Sequence, residues 1–156
     1  MTVSIGADHG GYNLKEKVKL WLGEQGYKTV DVGAHCFDPD DDYPVFAFAV
    51  ALRIGKEDNR RKPWGQRTKG ILVCRSAAGM VIAANKVKGV RAVAACDVES
   101  ARHCRQHNDA NVLGLSGDWM SSDQALAMVK VWLETEYTGE ARHERRIQMI
   151  EERNCD

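Results

Sequence analysis

The sequence predicts an α/β protein, a single-domain doubly wound (Rossmann-like) fold on a five-stranded parallel sheet with a C-terminal helix. Three observations carry this. Short β-prone segments alternate with helix-period segments along the chain, which is the order of βαβ units. The strand segments are apolar on nearly every residue, as strands covered on both faces require. The length, 156 residues, is close to the roughly 150 of one domain.

Thr2 to Ala7 reads as the first strand, ending at the glycine-rich turn Asp8-His9-Gly10-Gly11. Leu14, Val18, Trp21 and Leu22 then recur with helical period. Gly26 is placed as a C-terminal cap, and Lys28 to Val32 forms the second strand, stopped by Gly33. After the acidic loop Asp38 to Asp42, Pro44 suits the first turn of a helix through Phe46, Val50 and Ile54, where its missing N–H costs nothing. Residues 55–69, GKEDNRRKPWGQRTK, break the rhythm with six basic and two acidic residues, and are expected to form a surface-loop insertion. Gly70 to Cys74 is the third strand, followed by a small-residue loop and a short helix from Met80 to Lys86. Arg91 to Cys96 is the fourth strand; Asp97 is a fitting N-cap for a helix from Val98 to about His107. Asn111 to Leu115 is the fifth strand. Ser121-Ser122-Asp123-Gln124 fits a capping box ahead of a helix through Trp132, and a last helix starts near Arg142.

Composition narrows the function classes. Lys plus Arg is 22 and Asp plus Glu is 22, so no global field draws the chain to nucleic acid or an acidic membrane. No apolar run approaches the roughly 20 residues of a membrane span. The cysteines, Cys36, Cys74, Cys96, Cys104 and Cys155, are odd in number and lack a CxxC repeat, so free thiols in a reducing cytoplasm are expected.

In a doubly wound sheet, ligands bind outside the carboxyl ends of the strands. The polar residues there are Asp8 and His9, Asp42 and Tyr43, Cys74 to Gly79, Asp97, and Ser116 to Asp118. Cys74 stands out, because a thiol at a strand end before a helix, beside Arg75, has its thiolate favoured by the dipole and the cation. The alternative is an inert buried cysteine. His103 and His107 have the four-residue spacing of helical metal ligands, but no carboxylate follows at motif spacing, so no metal is expected. Arg142, Arg145 and Arg146 with His143 form a cluster suited to phosphate, or else a solvated face pairing with Glu140 and Glu144.

Taken together, Asp8-His9-Gly10-Gly11, Asp42-Tyr43-Pro44, the strand ending at Cys74, AANK at 83–86, Val90-Arg91-Ala92, QHNDANV at 106–112 and Arg142-His143 resemble ribose-5-phosphate isomerase type B. The resemblance runs in order along nearly the whole chain and implies membership of the wider ribose- and galactose-phosphate isomerase family. It implies a cofactor-free aldose–ketose isomerase acting on a pentose phosphate through an enediolate. On that resemblance Cys74 is the base that moves a proton between C2 and C1, Ser76 helps hold the enediolate oxygen, and His107 opens the furanose ring. Asp8 contacts a ring oxygen or hydroxyl; His9, Arg142 and Arg146 hold phosphate; Tyr43 and Asn108 contact the sugar. It also implies a homodimer or higher homo-oligomer with the site at the subunit interface.

Two departures are visible. The loop after the cysteine, usually Gly, Thr or Ser, Gly, any residue, Gly, here reads Arg75-Ser76-Ala77-Ala78-Gly79, with Arg75 and Gly79 as candidate substrate contacts. A positive φ at Arg75 or Ala77 would cost about 1–3 kcal/mol of strain. Asp118 stands where the family has an arginine that binds phosphate, and Arg75 or the 55–69 loop is the candidate replacement. Two alternatives remain beside the pentose phosphate isomerase: the same proton transfer on a different sugar or sugar acid, and a non-catalytic sugar-phosphate-binding subunit.

Overall fold

The computed structural model describes residues 1–57 and 60–153. Its sheet has five parallel strands in the order β2-β1-β3-β5-β4. The strands are β1 (Thr2–Ala7), β2 (Lys28–Asp31), β3 (Thr68–Cys74), β4 (Ala92–Ala94) and β5 (Val112–Ser116). The helices are α1 (Tyr12–Glu24), α2 (Tyr43–Glu57), α3 (Ala78–Ala84), α4 (Val98–Asn108), α5 (Ser122–Glu134) and α6 (Ala141–Glu152). The predicted fold class is the observed one.

Two apolar layers sandwich the sheet. On one face Leu14, Val18 and Leu22 of α1 pack with Ala101 and Cys104 of α4 and Met128 and Trp132 of α5. On the other, Val50 and Ile54 of α2 meet Met80 and Ala84 of α3. The helix signals hold. Gly26 takes φ +77°, letting Tyr27 N–H donate to the Leu22 carbonyl at 2.9 Å, and Asp97–Ser100 and Ser121–Gln124 both close capping boxes. The chain enters on β1, steps out to the edge strand β2, and returns across β1 to the central strand β3, so the strand order reverses between β1 and β3. That switch point is where a cleft opens in this architecture.

The segment 55–69 differs from the expected surface loop. Gly55 to Glu57 complete α2, and Thr68 and Lys69 open β3, with Lys69 fully buried. Trp64 is buried in a short 3-10 turn; its indole N–H donates to the Leu133 carbonyl at 2.8 Å. The basic residues misled because they read as solvated, whereas the Trp64 ring takes two of their charges. Lys69 Nζ lies 3.4 Å and Arg67 Cζ 5.2 Å from the ring centroid, joined there by Arg105 Cζ at 3.3 Å from α4. At the sheet edge β4 is shorter than its apolar run suggests, ending at Ala94.

Candidate active site

The switch point gathers the residues that close β1 and β3. Gly11 makes the packing possible: a Cβ there would lie 2.1 Å from the Val73 carbonyl oxygen, so α1 starts against the backbone of β3. This brings Asp8 beside Cys74. Asp8 is buried, and one carboxylate oxygen accepts from Gly11 N–H at 3.0 Å. Burial nevertheless raises its pKa, against the help of that N–H and of His9. His9 is fixed by Asp41: the ring Nδ1 lies 2.7 Å from Asp41 Oδ1, which also accepts the His9 backbone N–H at 3.1 Å.

Cys74 corrects one expectation. Its thiol pKa is raised, not lowered, because burial dominates and the Asp8 charge opposes ionisation. The backbone N–H groups of Met80, Ser76 and Ala77 work in the other direction. They surround the sulfur with donors, as the strand-to-helix turn predicts, and the same donors are placed to meet negative charge forming beside it.

The loop geometry separates the two departures from the family pattern. Ala77 is left-handed, with φ +65° and ψ −26°, whereas Arg75 is absent from the positive-φ positions. The strain sits at Ala77 alone, and Arg75 is tolerated by its backbone. The Arg75 side chain runs over Gly10, where a Cβ would lie 2.4 Å from Arg75 Cγ, and its Nη1 reaches Asp118 Oδ2 at 3.4 Å. Gly79 has a steric role: the Tyr43 ring lies so close that a Cβ on Gly79 would meet Cζ at 2.8 Å.

A second group of predicted residues lies at the other edge of the sheet. α4 starts after β4, at the carboxyl edge, and runs back to end just before β5 begins. His107 and Asn108, in its last turn, are therefore separated from Cys74 by about the 16 Å length of a five-residue strand. His107 is stacked on His143 of α6, with centroids 4.3 Å apart and planes at 12°, and His103 contacts it at 3.9 Å. Partial burial and the two neighbouring imidazoles lower the pKa of His107. Arg142 and Arg146 are exposed on the first turns of α6, and Arg142 Nε pairs with Glu140 at 2.9 Å.

The structure thus brings Asp8, His9, Tyr43, Cys74, Arg75, Ser76 and Gly79 to one edge, and leaves His107, Asn108, Arg142 and Arg146 at the opposite one. Sequence reasoning passed over Asp41, which stood in the acidic loop with no spacing to tie it to His9. It grouped His143 with a basic cluster read as either a phosphate holder or a solvated face, whereas the His143 side chain is buried. Among the described residues, Asp8, His9 and Asp41 are the group with metal-ligating atoms within 4.8 Å of one another. Two of those atoms, His9 Nδ1 and Asp41 Oδ1, are already hydrogen-bonded to each other. Cys155 lies outside the described residues.

Comparison with known proteins places the chain in a family. The family model described as Ribose/Galactose Isomerase matches residues 3–150. The putative sugar phosphate isomerase YwlF of Bacillus subtilis is 38% identical over 157 residues, covering 99% of both chains. Ribose-5-phosphate isomerase B of Mycobacterium tuberculosis is 38% identical over 97% of this chain and 89% of its own length. Among solved structures, ribose-5-phosphate isomerase B of Mycoplasma genitalium with bound ribulose-5-phosphate superposes with a TM-score of 0.89 at 36% identity, covering 97% of this chain and 95% of that one. With its sheet order, its thiol at the switch point and this full-length similarity, the chain belongs to the ribose/galactose isomerase family.

Proposed function

We propose that the protein is a cofactor-independent aldose–ketose isomerase interconverting ribose 5-phosphate and ribulose 5-phosphate. The observation that carries the reading is the buried Cys74 thiol at the β1/β3 switch point, ringed by backbone N–H groups and adjacent to Asp8. Isomerisation needs a base beside C2 and donors aimed at the oxygen where charge develops. Cys74, as thiolate, takes the proton from C2 and returns it to C1. The N–H groups of Ser76 and Ala77 and the Ser76 hydroxyl hold the enediolate oxygen. Asp8 and Tyr43 orient the sugar hydroxyls.

Ring opening and phosphate binding fall to residues at the far edge, which one copy of the chain cannot bring to its own Cys74. A second copy supplies them. His107, held neutral by its neighbours, moves the proton between ring oxygen and anomeric hydroxyl; Asn108 contacts the sugar, and Arg142 and Arg146 with His9 and Arg75 hold the phosphate. The exposed apolar row Val45, Phe48 and Leu52 on α2, continued by Ile82 on α3, supports homodimer formation.

NMR in D2O with ribose 5-phosphate tests the reading. Deuterium should enter C2 of the aldose and C1 of the ketose, and Cys74→Ala should abolish exchange while calorimetry still shows sugar-phosphate binding. Unchanged exchange in Cys74→Ala would remove Cys74 as base.

A further inference from the structure

The segment 60–67 has no part in the proposed catalytic site, yet it builds a cavity. About 490 Å³ in volume, the cavity is lined by Arg60, Arg61, Lys62, Arg67 and Arg105, with Asp109, Glu136 and Glu144 as its carboxylates. Five cationic groups against three anionic ones, in a chain of net charge zero, concentrate positive charge in one concave place. None of the residues assigned to catalysis or substrate binding lines it.

Asp109 accepts from Arg60 at 2.9 Å, Arg67 at 3.0 Å, Arg91 at 3.0 Å and Arg105 at 2.8 Å, so one carboxylate serves four guanidinium groups. Arg105 is fully buried and lines the cavity, and its Nη2 has no hydrogen-bond partner. Burial pushes its pKa down to about 10, against the opposing pull of Asp109. Arg60 is held at the rim by Glu144, through Nη2 at 2.7 Å and Nη1 at 3.0 Å, with one quarter of its side chain exposed. An incoming anion would compete with Glu144 for that planar fork, the geometry that suits phosphate as well as carboxylate.

We propose that this cavity is a second anion site, separate from the catalytic cleft, that takes a small phosphate-bearing metabolite. Its volume lies within the range of small-molecule sites. A cavity of this size is too small to seat a protein surface, which needs about 1,000 Å² of contact.

Calorimetric titration of the full-length protein with inorganic pyrophosphate tests this. Pyrophosphate should bind, and should still bind when the protein is saturated with ribose 5-phosphate. The double variant Arg61→Glu/Lys62→Glu, at exposed positions, should weaken binding at least tenfold, whereas Glu144→Gln should tighten it several-fold by releasing the Arg60 fork. Circular dichroism should show both variants folded at wild-type thermal midpoints within a few degrees. Displacement of pyrophosphate by ribose 5-phosphate would place the anion in the catalytic cleft and overturn the proposal. So would equal affinity in the Arg61→Glu/Lys62→Glu protein, or no binding at all. The proposal does not depend on turnover, because an inactive protein with intact pyrophosphate binding would refute only the isomerase reading.

Discussion

Arg75 and Asp118 pair across the ends of β3 and β5, Nη1 to Oδ2 at 3.4 Å, and the Asp118 backbone N–H donates to the Arg75 carbonyl at 3.2 Å. Both side chains are well exposed, 66% and 44%, so the pair adds little to stability. Its consequence is for anion recognition. The cation of this corner is Arg75, and the carboxylate opposite it would compete with a phosphate for the guanidinium.

Asp118→Asn should therefore lower KM for ribose 5-phosphate several-fold with kcat little changed, and shift stability by less than about 0.5 kcal/mol. Steady-state kinetics of the exchange reaction check this. A KM that rises instead would mean Asp118 contacts the substrate directly, and would favour a sugar whose far end is not anionic.

With Cys74 as the proposed base, its raised pKa makes the reaction base-limited. Only the thiolate abstracts the proton, so kcat/KM should climb with pH, about tenfold per unit, until the pH passes a thiol pKa above its ordinary value. The Asp8 charge is one of the causes that hold the thiol up. Asp8→Asn should move the rising limb to lower pH, even where it reduces the maximal rate. An unmoved limb would show that the two groups do not sense each other.

Much of this could be read from the chain because its signals are local. The thiol at a strand end, the glycines that let α1 approach β3, and both capping boxes each announce themselves within a few residues. The misreadings come from partners distant in sequence. Arg60 and Arg67 looked solvated, because nothing in their spacing shows that Asp109 gathers them with Arg91 and Arg105 or that Arg67 lies over the Trp64 ring. The same holds for the thiol: the sequence shows Arg75 next to Cys74, but only the fold shows burial and Asp8 outweighing it. The separation of the candidate residues between two sheet edges follows from the path of α4, which sequence motifs in linear order conceal.

Asp109 links the fold to acid stability. Arg105, Arg91 and Arg67 lower its pKa from 3.8 to about 2 against the cost of burial. A depressed carboxyl pKa stabilises the fold fully above the unfolded value and is lost as pH falls through the folded one, so the loss should occur between about pH 4 and pH 2. The shift corresponds to about 2 kcal/mol. Asp109→Asn should cost about 3–5 kcal/mol at pH 7, since it leaves buried guanidinium groups without their anion. Urea unfolding at a series of pH values should show wild type and variant converging toward pH 2. Parallel curves would mean Asp109 is not the titrating group.

His107 offers the clearest separation of ring opening from proton transfer. The imidazoles of His103 and His143 pack against it and lower its pKa, which keeps it neutral and able to accept a proton at neutral pH. The enediolate step at Cys74 does not involve this ring. His107→Gln should therefore reduce turnover of ribose 5-phosphate, a cyclic furanose, by about 100-fold or more, the usual contribution of a general acid–base group. Ribulose 5-phosphate is open-chain and needs no ring opening before its C1 proton is taken. Solvent deuterium should thus still enter its C1 at close to the wild-type rate in His107→Gln, while the Cys74→Ala protein loses both reactions. Equal loss of the two reactions in His107→Gln would place the histidine in the enediolate step, or show that its stack with His143 is needed to assemble the site from two copies. Gel filtration of the variant separates those outcomes, because an intact dimer with equal losses leaves only the chemical role.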